Sequence, residues 1–107
     1  MTVIFAEQYL ENLYKDGIDD KKHRFQPDII RRYQKVVNFM KNSSSMIALA
    51  QIRSLNLEKL TGDKNDLHSV RVNDQYRIEF KASVLEETHE EQIMTICNII
   101  NLSNHYI

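Results

Sequence analysis

Polar and apolar residues alternate along residues 69–81, on both sides of a turn formed by residues 73–75. The apolar positions are Val70, Val72, Tyr76, Ile78 and Phe80. A period of two places one face of a strand in the core and the other in water. Because a three-residue loop is a common connection between antiparallel strands, this segment predicts a β-hairpin.

Two earlier segments show helical spacing instead. Apolar residues recur at that spacing from Phe5 to Lys15, and Gly17 is a natural end for this first helix. Pro27 begins a second amphipathic helix. The serines at 43–45 break it and can cap a third, short helix through about Ile52.

The remaining apolar segments predict strands. They span roughly Thr2–Ile4, Leu55–Leu60, Leu67–Val72, Tyr76–Lys81 and Gln92–Leu102. The last is apolar at both parities, which is typical of a central strand covered on both faces. The acidic residues 86–91 predict the hairpin loop before it. Together these elements predict one α+β domain over residues 1–107, with N-terminal helices packed on a four- to five-stranded, mainly antiparallel sheet.

Composition narrows the class of protein. A chain of 107 residues with 42% apolar residues suits one ordered domain, and no apolar run predicts a membrane span or a secretion signal. The single cysteine, Cys97, excludes an internal disulfide and fits the cytoplasm. The four histidines are scattered, so their spacing does not resemble a zinc site. We expect no metal and no other cofactor.

Two arginines stand out in the predicted hairpin. Its register places Arg71 opposite Arg77 on the solvent face, and like charges in that arrangement repel. A bound anion such as a phosphate would relieve the repulsion. The alternative is that both arginines pair with acids close in sequence, Asp74 and Glu79.

Four strings carry a resemblance to a known family. They are Leu60-Thr61-Gly62-Asp63, Leu67-His68-Ser69-Val70-Arg71-Val72, Gln75-Tyr76-Arg77-Ile78-Glu79-Phe80 and Ser103-Asn104-His105-Tyr106. In order and spacing, residues 17–106 resemble the HigB branch of the RelE/ParE toxin superfamily. The resemblance implies a RelE-like fold and a bacterial toxin of a type II toxin–antitoxin pair. It further implies ribosome-dependent, metal-free mRNA cleavage, and inhibition by a HigA-like helix-turn-helix antitoxin through which alone the toxin forms oligomers.

The resemblance also implies roles for particular residues. Arg71 and Arg77 would hold the phosphate, and His105 would act as general acid or base because imidazole titrates near neutrality. Tyr106 would donate a second proton or stack on a base. The alternative for His105 is a frayed, solvated position close to the end of the sequence.

Several positions depart from the family pattern. Where the family has a lysine before Gly-Asp, this chain has Thr61, and where the family often has a histidine three residues earlier, it has Glu58. The family's closing Asp-Tyr-His is replaced by Ser103-Asn104-His105. Lys59 and Lys64 flank the first gap and can supply its positive charge to RNA phosphates. These changes leave the fold assignment intact and leave open which residue is the general base.

His68 replaces an aromatic residue of the family. By parity it lies on the same face as Val70 and Val72, which favours a partly buried packing role over a catalytic one.

Charge is segregated although the net charge is only −1. Residues 21–41 carry seven basic residues and one acidic residue, and Arg31, Arg32 and Lys35 share the polar side of the second helix. These three can contact ribosomal RNA phosphates, or they can form an ordinary solvated helix face.

Two other functions also stay open: a ParE-like toxin that binds DNA gyrase, and a degenerate toxin that only binds its antitoxin.

Overall fold

The computed structural model of the protein describes residues 1–64, 66–87 and 92–104, with the backbone alone at 85–87 and 92–93. Three helices and five strands follow one another along these residues. The elements are β1 (Thr2–Phe5), α1 (Gln8–Asp16), α2 (Pro27–Asn42), α3 (Met46–Ala50), β2 (Glu58–Lys59), β3 (His68–Arg71), β4 (Arg77–Glu87) and β5 (Gln92–Ser103). Two 3₁₀ turns, Arg53–Leu55 and Gly62–Lys64, flank β2.

The five strands form one sheet in the order β1-β5-β4-β3-β2. β1 runs parallel to β5, and every other neighbouring pair is antiparallel. In the β3–β4 hairpin Val70 lies opposite Ile78, and the amide of Val72 donates to the carbonyl of Tyr76 across the turn. The predicted register and the predicted α+β fold are confirmed.

The helix ends follow from local chemistry. α1 ends at Gly17, whose φ of 64° is accessible to glycine without strain. α2 begins at Pro27, where the missing amide hydrogen leaves no helical bond unmade. The side chain of Ser45 caps α3 by accepting a hydrogen bond from the amide of Ala48. All three signals were visible in the sequence.

The helices pack on one face of the sheet, which we call the inner face. Its core combines residues of α1 and α2 with inward residues of the strands. The fully buried members from the strands are Val70, Ile78, Phe80, Cys97 and Ile99, and those from the helices include Leu10, Leu13, Tyr33, Val37 and Met40.

Among the described residues, no helix lies on the opposite, outer face of the sheet. Ile4, on β1, and Met94, on β5, point to this face and are 47% and 39% exposed. The prediction that β5 is covered on both faces is therefore wrong. The apolar residues at its second parity are only partly buried, because the three helices all lie on the inner side.

Two further boundaries differ from the sequence-based expectation. Residues 55–60 do not form one strand: Asn56 adopts a φ of 43°, which interrupts the extended backbone and leaves only β2 beyond it. β4 continues to Glu87, paired with Gln92, so residues 86 and 87 of the predicted loop are strand. Residues 88–91 lie outside the described part of the chain.

Among the residues that the structure describes, no helix is long and apolar enough to cross a membrane.

A buried hydrogen bond links α1 and α2. The hydroxyl of Tyr33, a fully buried residue, donates to the carbonyl of Leu10 at 2.9 Å. Burial raises the pKa of Tyr33, so the hydroxyl keeps its proton at any physiological pH.

We expect Tyr33→Phe to lower the free energy of unfolding by about 0.5–1.5 kcal/mol, because it removes a buried hydrogen bond between two helices. Tyr14→Phe is the matched control: the Tyr14 hydroxyl bonds Asn38 at an exposed site, and its loss should change stability by less than about 0.5 kcal/mol. Urea denaturation of both variants measures the difference. Equal losses of stability in the two variants would contradict the claim that the buried hydrogen bond of Tyr33 stabilises the fold.

Candidate active site on the outer face of the sheet

Alternation along β4 divides its residues between the two faces. Ile78 and Phe80 enter the core, so Arg77 and Glu79 point to the outer face. The register places Arg71 directly opposite Arg77, as the sequence predicts. The neighbouring strands β3 and β4 therefore bring charged groups together on this face.

Arg77 is held tightly rather than solvated. Its side chain is only 13% exposed, although the sequence predicts a solvent-facing position. The guanidinium donates from Nε to the hydroxyl of Ser69 at 2.8 Å, and from Nη2 to the carbonyls of Ser69 and Asn56 at 3.1 and 2.7 Å. Glu58 lies 3.7 Å away as a weaker ionic partner. These contacts fix a positive charge in place.

Arg71 is the more accessible of the two. Its side chain is 40% exposed and pairs with Asp74, whose side chain is 90% exposed. The pairing with Asp74 that the sequence suggested is thus present. Because a surface ion pair of this kind contributes about 0–1 kcal/mol, an incoming phosphate can displace Asp74 from Arg71.

Glu79 is the buried acid of the outer face. The residue is 4% exposed, and its carboxylate accepts hydrogen bonds from Lys64 Nζ at 2.7 and 3.0 Å and from Asn101 Nδ2 at 3.2 Å. The suggestion that Glu79 pairs with one of the two arginines is not what the structure shows. Lys64 reaches it from the 3₁₀ turn before β3 and remains 39% exposed.

A bulge in β5 brings Asn101 to this site. Glu79 pairs with Asn101 and Phe80 with Ile99, so one extra residue, Ile100, lies between them on β5. Without the bulge, Asn101 would have the parity of Ile99 and point to the core. The contact between Asn101 and Glu79 therefore depends on a backbone irregularity that alternation alone does not reveal.

The other predicted cations are distributed more widely. Lys59 lies on β2, exposed and opposite His68. Arg31, Arg32 and Lys35 are exposed on α2, in the helical layer and not on the outer face. Arg32 donates from Nε to the carbonyl of Val72 at 2.9 Å and so ties α2 to the end of the hairpin.

His68 has the packing environment that its parity predicts. Its ring stacks on Phe80 with centroids 5.8 Å apart, and Nδ1 is buried without a hydrogen-bond partner among the described residues. Burial lowers the pKa of His68, and the positive charge of Lys59 lowers it further. The folded protein therefore favours the neutral imidazole.

His105 and Tyr106 lie outside the described residues. The last residue of β5 is Ser103, and its register partner is Arg77. Within the described part of the chain, no three His, Cys, Asp or Glu side chains come together as metal ligands do.

Sequence reasoning identified Arg71, Arg77 and Lys64 but gave no role to Ser69 or Asn101. Ser69 shares the parity of Arg71, which was the available signal. It is 1% exposed and accepts from the Nε of Arg77. For Asn101, the sequence contains no signal, because its side chain faces this site only as a result of the bulge in β5.

The structure thus has helices on one face of a five-stranded sheet and a group of two arginines and a lysine on the other. A solved structure described as a YoeB/ParE toxin from Agrobacterium tumefaciens is similar over 99% of this chain and 100% of that one, with a TM-score of 0.59 and 13% sequence identity. The family model for the RelE-like toxin of type II toxin–antitoxin system HigB matches residues 3–101.

The chain therefore belongs to the HigB-like family of type II toxins, and the resemblance noted in the sequence is confirmed. Membership implies a protein antitoxin as partner. A search of curated protein sequences gave no significant match.

The environment of His68 generates a pH prediction. Because the pKa of His68 is lowered in the folded protein, protonation of His68 favours the unfolded chain. The free energy of unfolding therefore falls as the pH drops below the pKa of about 6.5 that histidine has in the unfolded chain. We expect the free energy of unfolding to fall less between pH 7 and pH 5 in His68→Phe than in the wild type. Denaturant titrations at both pH values test this, and parallel profiles would contradict it.

Proposed function

We propose that the protein is a metal-independent endoribonuclease that cuts mRNA on the ribosome and inhibits translation in the bacterial cytoplasm. The observation that carries this proposal is the grouping of Arg71, Arg77 and Lys64 on the outer face, next to the strand end that leads to His105. RelE-like toxins are generally ribonucleases, which agrees with that chemistry.

The reaction needs little more than charge and proton transfer. The RNA 2′-oxygen attacks the adjacent phosphorus, the bond from phosphorus to the 5′-oxygen breaks, and negative charge builds on the non-bridging oxygens. Arg77 is already fixed by Ser69 and Asn56, so it needs no reorganisation to stabilise that charge. Arg71 is accessible and would bind the same phosphate once Asp74 moves aside.

Proton transfer is assigned to the residues that follow β5. Because β5 ends at Ser103 opposite Arg77, two further residues of chain, about 7 Å when extended, connect this point to His105. His105 would act as general acid or base, and Tyr106 would donate a second proton or stack on a base. Both roles are part of the proposal.

The remaining cations and the partner complete the proposal. Lys59 at the sheet edge and Arg31, Arg32 and Lys35 on α2 would contact RNA phosphates, the α2 residues on the ribosome rather than at the cut. The antitoxin would be a HigA-like helix-turn-helix protein, and oligomers would form only through it.

Arg71→Gln tests the phosphate role with little risk to the fold, because among the described residues its side chain pairs only with the exposed Asp74. We expect cleavage of mRNA on purified ribosomes to slow about 10- to 100-fold, the effect of losing one charged hydrogen bond of about 1.5–3 kcal/mol. Lys41→Gln is the matched control: it removes a cation near the end of α2, over the Tyr14 ring, and should leave the rate unchanged.

Unchanged cleavage by Arg71→Gln would contradict the phosphate role. Growth arrest by the wild type with intact message and DNA damage would favour the gyrase-binding alternative. Antitoxin binding without growth arrest would favour a degenerate toxin.

A further inference from the structure

The outer face buries an acid in the middle of a cationic site. Glu79 is 4% exposed, and glutamate is rarely buried unless it is paired. Among the described residues, Glu79 accepts hydrogen bonds from Lys64 and Asn101. It lies two residues from Arg77 on the same strand and face. A negative charge at this position weakens the attraction of the site for a phosphate, unless the acid also holds a cation in place that compensates for its charge.

The geometry makes Glu79 a rigid anchor. β4 is paired on both sides at this residue, with Ser69 on β3 and Asn101 on β5. Its neighbours Ile78 and Phe80 are fully buried in the core. The carboxylate is almost enclosed, with a side chain 6% exposed, so it has no open path to a substrate hydroxyl. This argues against a role for Glu79 as the general base.

Lys64 has a long side chain that Glu79 holds in one position. A lysine side chain loses up to about 2 kcal/mol of rotamer freedom when it is held in one conformation. The two contacts to Glu79 hold the ammonium, yet the side chain is still 39% exposed. An ammonium has three hydrogens to donate, so a held Lys64 can still contact a ligand above the sheet.

We propose that Glu79 is a positioning residue that, together with Asn101, holds the Lys64 ammonium beside Arg77 for contact with the RNA phosphate. The inference rests on the proposed nuclease function and adds the device that fixes its third cation. Residues two apart on one face of a strand are about 6.6 Å apart. Arg77 and the ammonium bound to Glu79 can therefore contact one phosphate or two neighbouring phosphates.

A double-mutant cycle separates positioning from a merely structural role. The four proteins are the wild type, Glu79→Gln, Lys64→Gln and the double variant, each assayed for kcat and KM of mRNA cleavage on purified ribosomes. We expect Lys64→Gln to lower kcat/KM about 10- to 100-fold and Glu79→Gln about 10-fold. In the Lys64→Gln background, Glu79→Gln should have no further effect, because the group that it positions is already gone.

Two matched controls accompany the cycle. Lys64→Arg keeps a cation that can bind the carboxylate, and should retain activity within about threefold of the wild type. Glu11→Gln and Lys15→Gln remove a Lys–Glu pair of similar length, 2.6 Å, from the exposed surface of α1, and should leave the rate unchanged. Thermal unfolding of every variant shows whether a lost rate reflects a lost fold.

The possible outcomes are distinct. The expected non-additivity, with folded variants, supports the positioning role. Wild-type activity in Glu79→Gln, or an equal loss in both backgrounds, overturns it while leaving the nuclease function standing. A wild type that cuts no mRNA on the ribosome overturns the nuclease function and this inference with it.

Discussion

The alternation of residues 77–80 along β4 is the constraint on which the rest of the structure depends. Ile78 and Phe80 fill the core beneath the helices, while Arg77 and Glu79 form the charged outer face. A slip of one residue in the register would put both charges into the core and both apolar side chains on the outer face. The same pairing that stabilises the fold therefore positions the candidate active site, and the two cannot vary independently.

Fixed charge is what this arrangement would contribute to the proposed cleavage reaction. Arg77 is held by the hydroxyl and carbonyl of Ser69 and the carbonyl of Asn56, and Lys64 by the carboxylate of Glu79. Cations held before the substrate arrives do not have to reorganise as negative charge develops. Arg71, exposed and paired with an exposed surface acid, complements them as the more accessible cation.

Much of the fold could be predicted from the sequence because its signals are local. The stop at Gly17, the start at Pro27, the cap at Ser45 and the hairpin register each depend on a few adjacent residues. Features that depend on the backbone or on distant partners could not be predicted. The left-handed Asn56 shortened a predicted strand, and the bulge at Ile100 turned Asn101 toward Glu79. The choice of Lys64 over an arginine as the partner of Glu79 likewise depends on contacts across the sheet.

The most direct test of the central claim, that the outer face cuts messenger RNA on the ribosome, is to map mRNA 5′ ends in growing bacteria after brief induction of the wild-type chain. A reporter carrying a translated and an untranslated version of the same sequence makes the map decisive. The account predicts new ends in phase with codons in the translated copy and none in the untranslated copy. Growth arrest with both copies intact, or equal cutting of both, would contradict it.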